Sequence, residues 1–514
     1  MKRFLQSPFN VLILLLFLIG TFLHFAPFLT YQRLVYSISE DGYYMLTIAR
    51  NIAIGNGMST ANGTIPTNGT QPLVTFIMAG IFYLAGGDKI LSIIIIVIMQ
   101  WVVAVLISVL IYKTGIRLFK DHPDKKRISM LAAAIWYAGP MTMMHTINGL
   151  ETGWYTLAVL YIVSLIVFRD EALNMRFSIL IGFLLGIAFW IRNDAIFLIS
   201  AMALVFLTPR LFPMSIGYVK RFAYVIMIGL TSFITASPWL IYNQFTFGRI
   251  MPISGYAQMF EVRYGGNFIN LPRIITEYFE MLIPIPFGAQ KYLPVWIFCV
   301  VFILTVIFIV RKYYQITDIY RKRAIMITGI FLIFLCIFYG TVFDSYYFLP
   351  RHLYPPTVFL VLGWSLAIFY GTEKLKAKIK QAPLLLGIIF LIIVSVISVI
   401  RLNQANFHMH FQEVDWVKNN LGDDVWVASF QSGALGYFHD RTINLDGKVN
   451  PEALRARQRN RMPDYMLDKK VKYLVDWVNL AEWLSYSKVS SNFEVLICDP
   501  VKNLTVLKRK DLIE

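Results

Sequence analysis

"SISEDGYYMLTIARN", residues 37–51, decides how the rest of the chain is read. It follows closely on an apolar stretch, 11–29, long enough to cross a bilayer. Two adjacent carboxylates, Glu40 and Asp41, therefore stand where the chain leaves the membrane. From there Tyr44, Met45, Ile48 and Ile52 form a helical stripe that "GNG" (55–57) ends. Asp41 falls at or beside the helix N-cap, where a carboxylate can accept from orphan backbone N–H groups. A capped carboxylate also stays ionised and fixed, as a general base must, so capping and chemistry are compatible readings.

Composition sets the class. Of 514 residues 57% are hydrophobic and 15% charged, whereas a soluble chain carries roughly 25% charged residues. This is the composition of a polytopic membrane protein. Residues 11–29 are too long for a signal-peptide core and lack an A-x-A-like cleavage site, so the segment reads as a retained span. The net charge of +17 does not indicate nucleic acid. Residues 401–514 hold 16 Lys/Arg against 15 Asp/Glu, while 1–400 hold 31 against 15. The excess lies in the loops between spans, where it sets orientation. Cys299, Cys336 and Cys498 give no disulfide framework, and no internal repeat or low-complexity tract is present.

Apolar runs near 9–29, 89–111, 128–147, 151–168, 221–241, 293–310, 324–343, 353–370 and 383–400 predict spans, and 177–208, interrupted by "RND" (192–194), predicts two short helices. The stretch 72–86 is apolar but short. If it does not cross, 22 Lys/Arg share the side of the N-terminus. If it crosses, "KTGIRLFKDHPDKKR" and every later basic loop would face outward. So 72–86 is expected along the outer surface or as a re-entrant segment. That gives about eleven spans, a cytoplasmic N-terminus, a large first outer loop (30–88) and a soluble extracytoplasmic region, 401–514, after the membrane domain 1–400.

The unusual polar residues then fall on one face: Glu40 and Asp41, "PTNGTQPL" (66–73), "NGLE" (148–151), "RND", "YNQFTFGRIMPISG" (242–255) and "FDSYYFLPRHLYPP" (343–356). Few ionisable residues lie at mid-span depth, where an ion-coupled transporter places its relay. Glu151 begins a span, where a helix dipole alone would favour an acid. Arg192 and Asp194 are close enough to pair across a tight turn. Arg351 and His352 sit at a span end beside prolines, where an arginine can grip a phosphate. "HMHFQE" (408–413) lacks an evident third ligand, so no metal site is read there, and no cofactor signature is found; a divalent cation is compatible but not indicated. The sequons at Asn62, Asn68 and Asn503 all fall outside. In the tail, "DVWVASF" (424–430), "TINLD" (442–446), "KYLVDW" (472–477), "FEVLICD" (493–499) and "LTVLKR" (504–509) alternate with helical patterns, which predicts an α/β domain. It carries neither G-x-G-x-x-G nor a P-loop. An outward-facing enzyme has no nucleotide-sugar supply, so an activated donor there has to be carried by lipid.

Taken in order, "EDGYYMLTIARNIAIGNG", "PTNGTQPL", "NGLETGWY", "RNDAIFL", "PWLIYNQFTFGRIMPISG" and "SGALGYFHDRTINLDGKVN" resemble the GT-C superfamily of integral-membrane glycosyltransferases that use polyprenyl-phosphate sugars. The likeness is greatest to its aminoarabinose-transferase and protein-mannosyltransferase (family 39-like) branch. The resemblance implies an inverting transfer of a sugar from a polyprenyl-phosphate carrier to a hydroxyl of a glycan, lipid or protein at the outer face of the plasma (inner) membrane. It puts the family's first-loop catalytic aspartate on Asp41, with Glu40 as the preceding acid. The family's following acid is replaced by Gly42, and the basic residue that one branch has before Pro-Leu is Gln71. Substrate binding is then expected from Glu151, Arg192, Asp194, Arg351, Arg263 and Asn68. The rival readings are a flippase for lipid-linked saccharide, and an assembly protein whose outer carboxylates would tolerate neutral substitution.

Overall fold

The computed structural model describes residues 8–208, 211–212, 217–259, 264–282, 294–343, 350–378, 389, 409–469 and 471–511. Arg263 and most of the expected span at 383–400 lie outside the described residues. Among the described residues four helices are long and apolar enough to cross a bilayer: Phe9–Leu29, Lys89–Leu118, Tyr218–Phe247 and Ile319–Thr341. Shorter apolar helices, among them Thr152–Val167, Met175–Ile191 and Ala195–Leu207, complete a multi-pass bundle. The last two are the pair expected on either side of "RND".

One predicted span is broken. Residues 128–147 form two helices, Lys125–Ala138 and Pro140–Thr146, because Gly139 is extended (ψ 123°) ahead of Pro140. Proline disfavours helical backbone in the residue before it, so the first helix stops there. A similar restriction delays the helix expected from 353. After Pro355 and Pro356 it runs Thr357–Lys378.

The loop after the first span is built around the helix Glu40–Ala53. After it, β1 (Ser59–Thr60) pairs antiparallel with β2 (Ile65–Pro66). Helix Pro72–Leu84 follows and packs back on Glu40–Ala53, with Val74, Met78 and Phe82 fully buried in the same core as Leu46 and Ala49. Its 13 residues span about 20 Å at 1.5 Å per residue, too short for a hydrocarbon core of roughly 30 Å. Tyr83 and Leu84 at its end are exposed.

The C-terminal region holds β3 (Val427–Ser429), β4 (Thr442–Asn444), β5 (Tyr473–Asp476), β6 (Phe493–Asp499) and β7 (Leu504–Arg509), each inside a stretch predicted as a strand. The sheet order is β4-β3-β5-β7-β6, with β3 parallel to both neighbours and β7 antiparallel to both of its own. Side chains alternate across a sheet. Ala428, Leu474 and Leu507 therefore face a core formed with Ile443, Met466 and Phe493 and joined by Ala61 and Ile65 of the β1–β2 hairpin. Val427, Val475 and Val506 face the other way and join the core shared with the membrane bundle. Docking runs through aromatic rings: Tyr43 of the first-loop helix has its centroid 5.1 Å from Tyr437, 5.6 Å from Phe438 and 6.1 Å from Phe411. Such pairs are worth about 0.5–1.5 kcal/mol each beyond burial.

Candidate active site

The helix Glu40–Ala53 is capped one residue earlier than its acids. Ser39 Oγ accepts from Gly42 N at 3.1 Å, and the Ser39 hydroxyl also donates to the carbonyl of Asn148 at 3.1 Å. Asp41 is not spent on the cap, and its carboxylate is available to other groups.

The two acids then part company. Glu40 turns to the C-terminal region, where its carboxylate accepts from the backbone N–H of Gly433 and, at 2.9 Å, of Ala434. The approach is so close that a Cβ on Gly433 would stand 2.2 Å from the Glu40 carbonyl oxygen, so only glycine fits without a shift. Burial pushes the Glu40 carboxyl up to about 7, against the two N–H groups that favour its ionised form. Asp41 turns to a cavity of about 260 Å³. There its Oδ2 lies 2.7 Å from Arg351 Nη1 and its Oδ1 lies 3.4 Å from Lys448 Nζ. Burial alone would raise the Asp41 carboxyl, but Lys448 and Arg351 outweigh it and hold the group well below the usual carboxylate range.

Lys448 comes from the loop after β4, 407 residues from Asp41. Asp446 Oδ1 accepts from the Lys448 backbone N–H at 2.7 Å, a local turn that aims the side chain. The loop after the first span closes on the same turn, and a Cβ on Gly69 would stand 2.1 Å from the Lys448 carbonyl oxygen.

A second charged cluster lies deeper. Glu151 and Asp194 are both N-caps that make no side-chain cap bond. Instead they flank Arg192, whose Nε is 3.7 Å from Glu151 Oε1 and 3.1 Å from Asp194 Oδ1. Tyr339 donates to Asp194 Oδ2 at 2.9 Å. Arg192 also meets His352 Nδ1 and donates to the carbonyl of Arg351 at 3.1 Å. Burial keeps His352 neutral, well below its ordinary value, so its ring nitrogen can accept from a guanidinium. Burial raises both the Glu151 and Asp194 carboxyls, with Arg192 pulling them back. Gln100, from the Lys89–Leu118 helix, holds the loop before Glu151 by donating to Leu150 O at 2.9 Å and accepting from Gly149 N at 3.2 Å.

Exposure separates the two clusters. The Arg192, Glu151 and Asp194 side chains are 3%, 9% and 4% exposed, whereas Asp41, Arg351 and Lys448 are 26%, 23% and 27% exposed. The first set is a buried frame and the second faces the opening.

Of the residues expected from sequence, Asp41, Glu151, Arg192, Asp194 and Arg351 line one cavity. Glu40 is not among its lining residues and faces Gly433 and Ala434 instead. Asn68 is fully buried outside it, donating to Asn243 Oδ1 at 3.0 Å and accepting from Ile253 N at 3.1 Å, so that it ties the Gly69–Gln71 wall to the bundle. Lys448 and Tyr339 were not singled out in the sequence. Lys448 stood in the quoted "LDGKVN", but only the fold brings it to Asp41. Gln71, the departure noted above, does line the cavity, and its Oε1 is buried without a protein partner, as are Asn193 Oδ1 and His352 Nε2. Among the described residues no group of three or more His, Cys, Asp or Glu is arranged to hold a metal ion.

A family model described as a domain of unknown function, DUF8728, matches residues 399–506. No curated protein sequence matches the chain. Among solved structures, the chain is similar to ArnT from Cupriavidus metallidurans bound to undecaprenyl phosphate, with 12% identity and a TM-score of 0.54 over 94% of this chain and 97% of that one. Against the same protein in the apo state the TM-score is 0.57 over 91% and 93%, again at 12% identity. It is also similar to the Archaeoglobus fulgidus oligosaccharyltransferase in complex with zinc and sulfate, with 12% identity and a TM-score of 0.54 over 93% of this chain and 69% of that one. At this identity the likeness is one of fold, shared over nearly the whole chain.

Proposed function

We propose that this chain is an inverting glycosyltransferase that moves a sugar from a polyprenyl-phosphate carrier to an acceptor hydroxyl at the extracytoplasmic face, with its N-terminus in the cytoplasm. The observation that carries the reading is Asp41: an ionised carboxylate, released from capping by Ser39, in a cavity beside two cations. The likeness in fold to a protein whose structure was determined with undecaprenyl phosphate supports a lipid phosphate as the donor's carrier.

Asp41 takes the proton of the acceptor hydroxyl, whose oxygen attacks the anomeric carbon. The bond from that carbon to the phosphate oxygen breaks, and its electron pair leaves with the polyprenyl phosphate. Arg351 faces the departing oxygen and stabilises charge that grows only as the bond breaks, the condition for accelerating the step. Arg192 is already neutralised by two carboxylates, so its part is to position the backbone of Arg351 and frame the cavity with Glu151 and Asp194. Glu40 and Asn68 act at one remove. Glu40 docks the C-terminal region, and Asn68 fixes the opposite wall.

The test is transfer from a panel of polyprenyl-phosphate sugars to membrane extract by purified protein. Asp41→Asn should lose about 10²–10⁴ in turnover, the contribution of a general base, while still unfolding in one cooperative thermal transition. Full turnover by a folded Asp41→Asn protein would refute the assignment. Sugar translocated without being transferred would refute the reaction class.

A further inference from the structure

We propose that Arg351 and Lys448 are a shared cation pair, held by Asp41 in the free protein and handed to the lipid phosphate as the glycosidic bond breaks. This rests on the glycosyltransferase reading and adds to it a role for the C-terminal region, which supplies one of the two cations.

Three observations lead there. Both cations touch Asp41, Arg351 at 2.7 Å on one carboxylate oxygen and Lys448 at 3.4 Å on the other, so neither is free while the base is ionised. Both line the cavity and are about a quarter exposed, so an anion entering it can reach them. The other charged groups nearby are already committed. Asp446 lies 3.7 Å from Lys448 and accepts from Tyr44, and Glu40 faces Gly433 and Ala434. Arg192 is held between Glu151 and Asp194.

A base clamped by two cations is a poor proton acceptor, which is a difficulty for any reading of Asp41 as the base. Charge balance resolves it. A polyprenyl-phosphate sugar is a phosphodiester with one negative charge, and the departing polyprenyl phosphate gains a second as its bond breaks. Over the same step Asp41 takes a proton and loses its own charge. The negative charge next to the pair is therefore constant while its location moves from carboxylate to phosphate. The pair has only to shift its hydrogen bonds between two oxygens lining one cavity, and a guanidinium suits both anions because its fork matches carboxylate and phosphate alike. Proton uptake and leaving-group departure are coupled through these two side chains. A donor must be in place before Asp41 is a competent base.

The consequence can be read without turnover. Asp41→Asn removes the carboxylate's charge and leaves the pair to the ligand, so it mimics the end of the reaction. We expect its dissociation constant for a short-chain polyprenyl monophosphate, measured in detergent, to be at least tenfold lower than that of the wild type. Lys448→Met should weaken binding, and in Asp41→Asn/Lys448→Met most of the tenfold gain should vanish, while Lys448→Arg keeps it. The thermal midpoint of each variant establishes that it is folded. Binding by the wild type with no gain in Asp41→Asn would overturn this proposal alone. No binding of the lipid phosphate by either protein would overturn it together with the glycosyltransferase reading. A gain seen with inorganic phosphate but not with the lipid phosphate would overturn the assignment of the ligand.

Discussion

Exchanging Glu40 for glutamine separates the two acids of the opening doublet. The Glu40 carboxylate accepts from two backbone N–H groups of the C-terminal region. A glutamine presents one carbonyl oxygen and one NH₂, so one of those N–H groups loses its acceptor. A hydrogen bond to a charged group contributes about 1.5–3 kcal/mol, and a stranded buried donor costs about 1–3 kcal/mol. Taking about 2–3 kcal/mol as the loss of docking, the undocked population rises roughly 30- to 140-fold. Hydrogen exchange at the Gly433 and Ala434 amides should accelerate by that factor. Transfer should fall less than tenfold, because the docked form still presents Lys448 to Asp41. The titration adds a signed check. Glu40 is raised by burial from 4.5 to about 7, so the folded protein holds its proton more tightly than the unfolded chain does. Its contribution to stability is full below the unfolded value and is lost as pH rises through about 7. The thermal midpoint of the wild type should therefore decline between about pH 5 and pH 8, and Glu40→Gln should flatten part of the decline. A Glu40→Gln protein as inactive as Asp41→Asn, with unchanged amide exchange at 433 and 434, would refute the division of labour.

Arg192→Met leaves Glu151 and Asp194 buried without their counter-ion and should cost about 3–5 kcal/mol, read as a fall in thermal midpoint that the triple change Glu151→Gln/Arg192→Met/Asp194→Asn partly restores. Asn68→Ala strands the buried Ile253 N–H and should cost about 1–3 kcal/mol, again by thermal unfolding, with the loss appearing even in protein that carries Asp41→Asn. Cys498 is exposed on β6. In intact cells a membrane-impermeant maleimide applied from outside should label it, and labelling only after lysis would reverse the proposed orientation.

What the sequence revealed is what depends on local pattern. Short apolar runs set between helical patterns located all five strands of the C-terminal sheet, because each strand is a compact run of 3 to 7 residues. The interruption at "RND" was legible because three consecutive polar residues break the apolar run 177–208 near its middle. The break before Pro140 was hidden because a hydropathy window averages Gly139 and Pro140 with their apolar neighbours, and proline and glycine are tolerated within membrane helices. The site was half legible. Asp41 and Arg351 stand out as charges beside spans, but Lys448 is one of many lysines in a near-neutral tail. Nothing within a turn of it marks its partner 407 residues away. The difference between Glu40 and Asp41 was equally invisible. On a helix, neighbouring residues point about 100° apart, and which of two acids faces the cavity is settled by the register that Ser39 imposes.

The burial of Asn68 turns two neighbouring sequons into opposite reporters. Asn62 sits exposed in the β1–β2 turn at φ +51°, where a glycosylating host could modify it in the finished protein. Asn68 is sealed, with its amide nitrogen and oxygen both engaged, so an attached glycan could not be accommodated after the loop closes. In such a host, sugar on Asn62 would record which side of the membrane the loop reached. Sugar on Asn68 would mark only those molecules that were caught before folding and can no longer complete it.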